Sequence, residues 1–314
     1  MAILSRKPAK PDSKSEKPAP AGTGGRVQRV LGAPRWALAL VVLAIFALLY
    51  WGLLGWLLHD TTADLALRPD PADLPPGGSV TVAYLVTLTE AEVSRGGWTP
   101  NDSFLSPTAA LDEMPAFQSG VHDVLAAAAR AYAEESANDD LAEAAEDYAV
   151  PVTRGFFHAN FPFIGGSAGA RYKDGARTFR DFNAELADSE RMRLTEPRQA
   201  ASLMEAMAAS MEETMSEIDR SIRSGESDHS PALLHARARG EAYAATLLLR
   251  GIRADFEPDL RDRQLGSTMV AAIEQFDRVA SESPFSIGQS DVTNQGYFLR
   301  SGLEAMARME ARLR

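Results

Sequence analysis

The chain has 314 residues, 45% of them hydrophobic, with 32 basic against 43 acidic side chains, a formal net charge of −11 and no cysteine. That length suits one or two ordinary domains with a sizeable core. Without thiols, disulfide frameworks, thiolate nucleophiles, Cys-ligated zinc and Cys-bound iron–sulfur clusters are excluded; the acidic balance argues against a nucleic-acid partner, which needs clustered Lys and Arg.

Residues 1–35 carry eight basic and two acidic side chains, a net +6, among Pro, Ala, Gly and Ser. Such a segment cannot bury enough apolar surface to offset its ordering entropy and is expected to be a disordered basic tail. A tail of this length is also too short for a kinase or other output domain, which argues against a complete signalling receptor. Trp36 to Leu58 then runs without one charged residue. As a helix it is about 35 Å long, enough for a hydrocarbon core of roughly 30 Å. Trp36 opens the run and Tyr50, Trp51 and Trp56 gather towards its far end, where amphipathic rings settle among lipid headgroups. Residues 59–314 hold 24 bases and 41 acids, a net −17. By the positive-inside rule the tail stays cytoplasmic and the acidic bulk is translocated. The apolar run exceeds a signal-peptide h-region of roughly 7–15 residues, so it is expected to be an uncleaved single-pass anchor whose partner is the lipid bilayer.

His59 to Gly78 contains Pro69, Pro71, Pro75 and Pro76 before Gly77 and Gly78, and reads as a Pro/Gly-rich stalk. Ser79 can cap an element over Val80–Arg95, read as helix although its Val and Thr content also suits a strand. Phe117, Val121, Val124, Leu125 and Ala128 lie on one helical stripe running to about Ser136. Asp139 and Asp140 start a helix containing Leu141, Ala145 and Tyr148. From Pro197 to about Ser224, Leu203, Met204, Met207, Met211, Met215, Ile218 and Ile222 give the clearest stripe, expected to be core rather than a groove for partner helices. Pro231 starts a helix through Leu234, Ala238, Ala245, Leu249, Ile252 and Phe256. Leu265 to Ala280 and a last helix from about Asn294 complete a single all-α domain over residues 79–314.

Two irregular stretches stand out. Gly96 to Pro107 combines turn-forming Gly, Pro and Asn with Trp98, Phe104 and Leu105, more apolar surface than a solvent loop requires. Trp98, Asn101, Asp102 and Phe104 are the candidate partner-binding residues, the alternative being that the aromatics pin the loop into the bundle. Asn101-Asp102-Ser103 also matches a glycosylation sequon. Gly165-Gly166-Ser167-Ala168-Gly169 satisfies G-x-S-x-G, the pattern of a serine nucleophile on a strand-to-helix elbow. Pro162 disfavours the strand, Gly169 and Gly175 disfavour the helix, and the surrounding periodicity offers no parallel sheet. A glycine-rich turn is therefore expected, with a hydrolase on Ser167 as the rival. His229 and His235 are six apart, off the spacing that shares a helix face; His122 and His158 read as surface or helix-end residues. The acids from Glu134 to Asp147 read as a solvated face. No catalytic residue, metal site or cofactor is assigned.

The anchor, followed by GGWTPNDSFLSP (Gly96 to Pro107), LDEMPAFQSGV (Leu111 to Val121) and more loosely YKDGARTFRDFNAEL (Tyr172 to Leu186), resembles a bacterial family of membrane-anchored proteins known as domain-of-unknown-function family 2333. The resemblance covers about Trp36 to the C-terminus, with a departure between Val150 and Ala170. It implies an inner-membrane envelope protein and supplies no reaction, ligand or catalytic residue. The expected function is binding or scaffolding of a cell-envelope partner by the periplasmic helical domain. The rivals are the Ser167 hydrolase and a ligand-binding accessory to a transporter.

Overall fold

The computed structural model describes residues 35–95, 97–103, 106–110, 112–150, 167–186, 194–225, 227–283 and 289–314. The tail, Phe104, His158 and Pro162 lie outside them. The chain divides into Met1–Ala47 and Leu48–Arg314, and every regular element among the described residues is a helix.

Helix α1, Trp36–Leu58, is long and apolar enough to cross a membrane and has none of its apolar window buried. It is α-helical over Arg35–Ala47, π-helical over Leu48–Leu54 and α-helical again over Gly55–Leu58. Most of its large apolar side chains are 39–72% exposed, while Tyr50, Trp51 and Leu58 are half-buried. Burying such a surface would be favourable, and only its last turns are covered, by the turn at Pro107–Ala110.

In the second unit ten α-helices follow among the described residues: α2 Val80–Ser94, α3 Glu113–Ser136, α4 Asp139–Tyr148, α5 Ala168–Leu186, α6 Pro197–Ser210, α7 Glu212–Ser224, α8 Pro231–Asp255, α9 Glu257–Asp262, α10 Gly266–Ala280 and α11 Gln289–Leu313, with a 3-10 turn at Pro107–Ala110 between α2 and α3. Helix α8 is the axis, packed on α3, α10 and α2 and touching α11 and α7. The stripe Leu234, Ala238, Ala245, Leu249 and Ile252 is buried as its spacing predicts, but so are Ala242, Ala244, Leu247 and Leu248 on its other faces. A helix hidden all round can be approached closely only where side chains are missing. A Cβ on Gly240 would stand 2.0 Å from the Phe117 carbonyl oxygen of α3, and one on Gly120 would stand 2.2 Å from the Arg237 carbonyl oxygen. The two helices therefore cross backbone against backbone.

Helix starts follow local chemistry. Ser79 accepts the Val82 N–H at the head of α2, Asn138 the Leu141 N–H at the head of α4, and Ser230 the Leu233 N–H just before Pro231. Tertiary structure adds a second cap to α2: the Asp255 carboxylate, at the end of α8, accepts from the Ser79 and Thr81 hydroxyls and from the Val80 and Thr81 N–H groups at 2.7–2.9 Å.

Two expectations need correction. The single helix over Pro197–Ser224 is two helices meeting at Met211. The Ser210 hydroxyl donates to the Met207 carbonyl at 2.8 Å, competing with the helical ladder at the break. Leu203, Met204, Met207, Met211 and Ile218 are buried core, whereas Ile222 is 42% exposed. Second, a helix, α5, begins immediately after Ser167 despite its glycines. A Cβ on Gly175 would lie 3.0 Å from both the Ala144 carbonyl oxygen and the Tyr148 ring, so glycine lets α5 lie close to α4. Burial of Tyr172, Phe179, Phe182 and Leu186 outweighs the propensity lost, about 1 kcal/mol per glycine.

The segment read as a Pro/Gly-rich stalk is fastened to the helical body. Arg239 donates to the Thr61 carbonyl, Arg95 to the Thr62 carbonyl and Arg250 to the Leu65 carbonyl. Further on, Asn183 of α5 donates to the Asp73 and Ser79 carbonyls and accepts the Ser79 N–H, while Arg180 binds Asp73 at 2.5 Å and Glu90 at 2.7 Å. Pro71 and Pro76 lie inside turns closed by the Asp73 N–H on the Asp70 carbonyl and the Gly78 N–H on the Pro75 carbonyl, and arginine and asparagine side chains satisfy further carbonyls of the strap.

Candidate functional site

The loop after α2 is built from the inside. The Trp98 indole N–H donates to Asn101 Oδ1 at 2.7 Å, and the two residues are 4% and 3% exposed. Gln118 of α3 binds the loop through both ends of its amide: Oε1 accepts from the Thr99 N–H and hydroxyl, and Nε2 donates to the Glu92 and Gly97 carbonyls. Asp102, half-buried, accepts from the Ser106 and Thr108 hydroxyls. Trp98 and Asn101 thus brace the bundle and offer little surface to a partner, and the sequon asparagine is not accessible to a modifying enzyme.

His122 is buried in mid-helix, with its ring centroid 5.4 Å from that of Trp98 and 4.4 Å from that of Tyr172. This corrects its reading as a surface residue. The aromatic packing explains the apolar content of the loop: its tryptophan completes a cluster shared by α3 and α5.

A groove of about 330 Å³ opens beside the loop, floored by Pro100, Pro115, Ala116, Leu233 and Leu234, with Asp112, Ser119, His229 and Arg237 also lining it. Arg237 is held by Asp123, Glu213 and Glu241, and His229 by Glu217 at 2.7 Å. Its charged groups are already paired, so the groove offers an apolar floor with neutralised charges around it.

Ser167 Oγ accepts the Ala170 N–H at 3.1 Å at the first turn of α5. Among the described residues no hydrogen bond joins it to a histidine or carboxylate: His229 is bound to Glu217, and the His235 Nε2 contacts the Ser283 carbonyl oxygen. The serine is used as a helix cap.

The charged groups that sequence reasoning passed over are inside. Glu92 is 1% exposed and neither carboxylate oxygen has a hydrogen-bond partner. Burial pushes its pKa up to about 7 against the pull of Arg95, 3.4 Å away. Glu241, fully buried on α8, accepts from the Thr214 hydroxyl at 2.6 Å and Arg237 at 3.3 Å, yet burial still lifts it to about 8. Glu282 is likewise raised by burial to about 7, near His235 and Arg239, whose own values burial lowers. Periodicity carried a signal for two of these: Glu92 falls seven residues after Leu85 and Glu241 three after Ala238, both on apolar stripes.

Asp140, Glu143 and Asp147 of α4 face Asp181 and Glu185 of α5 across an open acidic cleft. Among the described residues no group of three His, Asp or Glu side chains is placed to hold a metal ion. The buried titratable groups are dispersed through the body and do not converge on one reacting centre. Comparison with protein-family models, curated proteins and solved structures found no match to this chain.

Proposed function

We propose that the protein is a single-pass inner-membrane protein whose helical body stands on the periplasmic side and binds a cell-envelope protein. The observation that carries this reading is α1: a charge-free helix with its apolar side chains exposed, preceded by a basic segment and followed by an acidic body. Its resemblance to domain-of-unknown-function family 2333 belongs to the same proposal. The partner surface is placed on the groove beside the loop, because Trp98 and Asn101 are occupied internally while Ser119 and Leu233 are only half-buried at the groove.

A reporter fused after Arg314 is expected to be active outside the cytosol and silent within it, with the chain resisting extraction of membranes at alkaline pH. Cytosolic activity or release into the supernatant sinks the topology. A photo-crosslinking residue at position 233 should capture a defined envelope protein in intact cells, whereas one at position 98 should yield only crosslinks within the chain. Capture from neither position removes the binding function.

A further inference from the structure

The juxtamembrane strap and the body meet over a charged triad. Arg95, at the end of α2, donates to the Thr62 carbonyl, lies 3.7 Å from Asp60 and 3.4 Å from Glu92, its neighbour one helical turn back. Glu92 and Arg95 belong to the body, whereas Asp60 belongs to the strap. We propose that this triad is a proton-operated latch, which fastens residues 59–67 to the body when Glu92 is neutral and loosens them when Glu92 ionises.

The argument is one of charge across an interface. With Glu92 protonated, the body presents the net positive charge of Arg95 to the Asp60 carboxylate, and the attraction crosses the contact. With Glu92 ionised, Arg95 is neutralised within its own helix, and a second carboxylate then faces Asp60. The low-dielectric setting magnifies the change, since Glu92 has no hydrogen-bond donor to spread its charge. Water reaching the carboxylate would relieve it, and the strap is the part that can move to admit water. The surrounding groups do not cancel this effect. Gln118 of α3 engages only the Glu92 backbone carbonyl, and Tyr243 of α8 is kept neutral by burial. Asp64 of the strap adds negative charge nearby. Arg239 of α8 holds the Thr61 carbonyl and stays cationic in both states. His59 faces Glu113 at 3.7 Å, a second titratable pair across the same contact, so the test separates it from Glu92.

Burial places the Glu92 transition at about 7. Asp60 is ionised throughout: its burial is outweighed by hydrogen bonds from Thr62 and the charge of Arg95, which hold it below the usual carboxylate range. The latch is therefore closed in mild acid and released as pH rises through neutrality.

The chain has no cysteine, so one can be introduced without background. Thr61→Cys places a thiol at a buried strap position, and Asp70→Cys places one at an exposed position. In the full chain in detergent micelles, the ratio of their alkylation rates cancels the intrinsic pH dependence of thiol chemistry. We expect this ratio to rise about tenfold between pH 6 and pH 8.5, to stay at its pH 6 value in Glu92→Gln, and to be high and pH-independent in Asp60→Asn. Glu241→Gln should leave the rise intact. A flat ratio in the parent chain, or a rise that survives Glu92→Gln, overturns the latch. Neither result bears on topology, because the readout needs no bilayer.

Discussion

Helices α1 and α8 are opposites: one is apolar and mostly exposed, the other carries charge and is mostly buried. Helix α1 has no charged residue between Trp36 and Leu58 and is exposed along most of its length, its last turns meeting the turn at Pro107–Ala110; α8 carries His235, Arg239 and Glu241 and is buried around its circumference. The difference lies in what each helix does with its backbone. Gly240 and Gly251 in α8 let neighbouring backbones approach, and the charged groups reach partners: Arg239 the Thr61 carbonyl, Glu241 the Thr214 hydroxyl. Helix α1 leaves Trp36, Leu38, Leu43 and Phe46 exposed in its first half. A buried helix can afford charge when its polar atoms find partners, whereas a helix long and apolar enough to cross a membrane carries none.

Exchanging those properties should give the largest effects. Leu43→Arg with Ile45→Arg costs roughly 2.5–3.5 kcal/mol per charge at a helix centre. The doubly substituted chain is expected to move largely from membrane to soluble fraction while its body keeps its unfolding temperature. Leu248→Arg, which buries an unpaired cation in α8, should do the converse, unfolding the body while membrane association persists. Loss of both properties in either variant would mean that the two regions are not independent. Next in size is Gly240→Ala. Alanine gains about 1 kcal/mol of helix propensity, but its methyl would collide with the Phe117 carbonyl, and a net loss above about 3 kcal/mol is expected in chemical denaturation.

The charged interior also sets a pH dependence. Glu241 keeps its proton in the folded state up to about 8, whereas an unfolded glutamate releases it near its ordinary 4.5. Between those values the folded state binds more protons, so this contribution to stability is fully present below pH 4.5 and is lost as pH rises towards 8. Glu92 and Glu282 act in the same direction up to about 7. Stability from denaturant titrations should fall by several kcal/mol from pH 5 to pH 8.5, each extra bound proton being worth roughly 1.4 kcal/mol per pH unit. Glu241→Gln should flatten that slope; an unchanged slope would remove Glu241 as its source.

Which of these features could be read before folding depends on how local they are. The caps by Ser79 and the start at Pro231 involve residues within one turn and were legible. So was α1, because twenty-three uncharged residues need no tertiary context. The aromatic excess around Trp98 was legible as a quantity, but its direction was not: the same residues suit an exposed recognition loop or an internal brace, and only the arrival of Gln118, His122 and Tyr172 decides between them. Helix α5 was missed because glycine propensity is local and the approach of α4 that favours glycine is not. The fastening of the strap was not legible for a related reason, since prolines mark a break in helix but say nothing of the arginines that grip the carbonyls of Thr61, Thr62 and Leu65 ahead of them.

Asp255 gives the subtlest test of that distinction. Its carboxylate sits where an arriving helix needs an acceptor, 174 to 176 residues away in sequence from the groups it binds. Oδ1 accepts the Val80 N–H and Oδ2 the Thr81 N–H, besides two hydroxyls that can rotate. Asp255→Asn keeps the shape but puts an amide N–H against one of the two backbone N–H groups, and it removes the negative charge from the N-terminus of α2. The Ser79 hydroxyl still caps Val82, so the helix should persist, with a loss of about 1–2 kcal/mol in thermal or denaturant unfolding. Ser79→Ala removes the local cap and one donor to Asp255 together. If the long-range and local caps act as one unit, the double variant should lose less than the two single variants added. Strict additivity would show instead that α2 is held at its start by two independent devices, one written in its own sequence and one supplied by the end of α8.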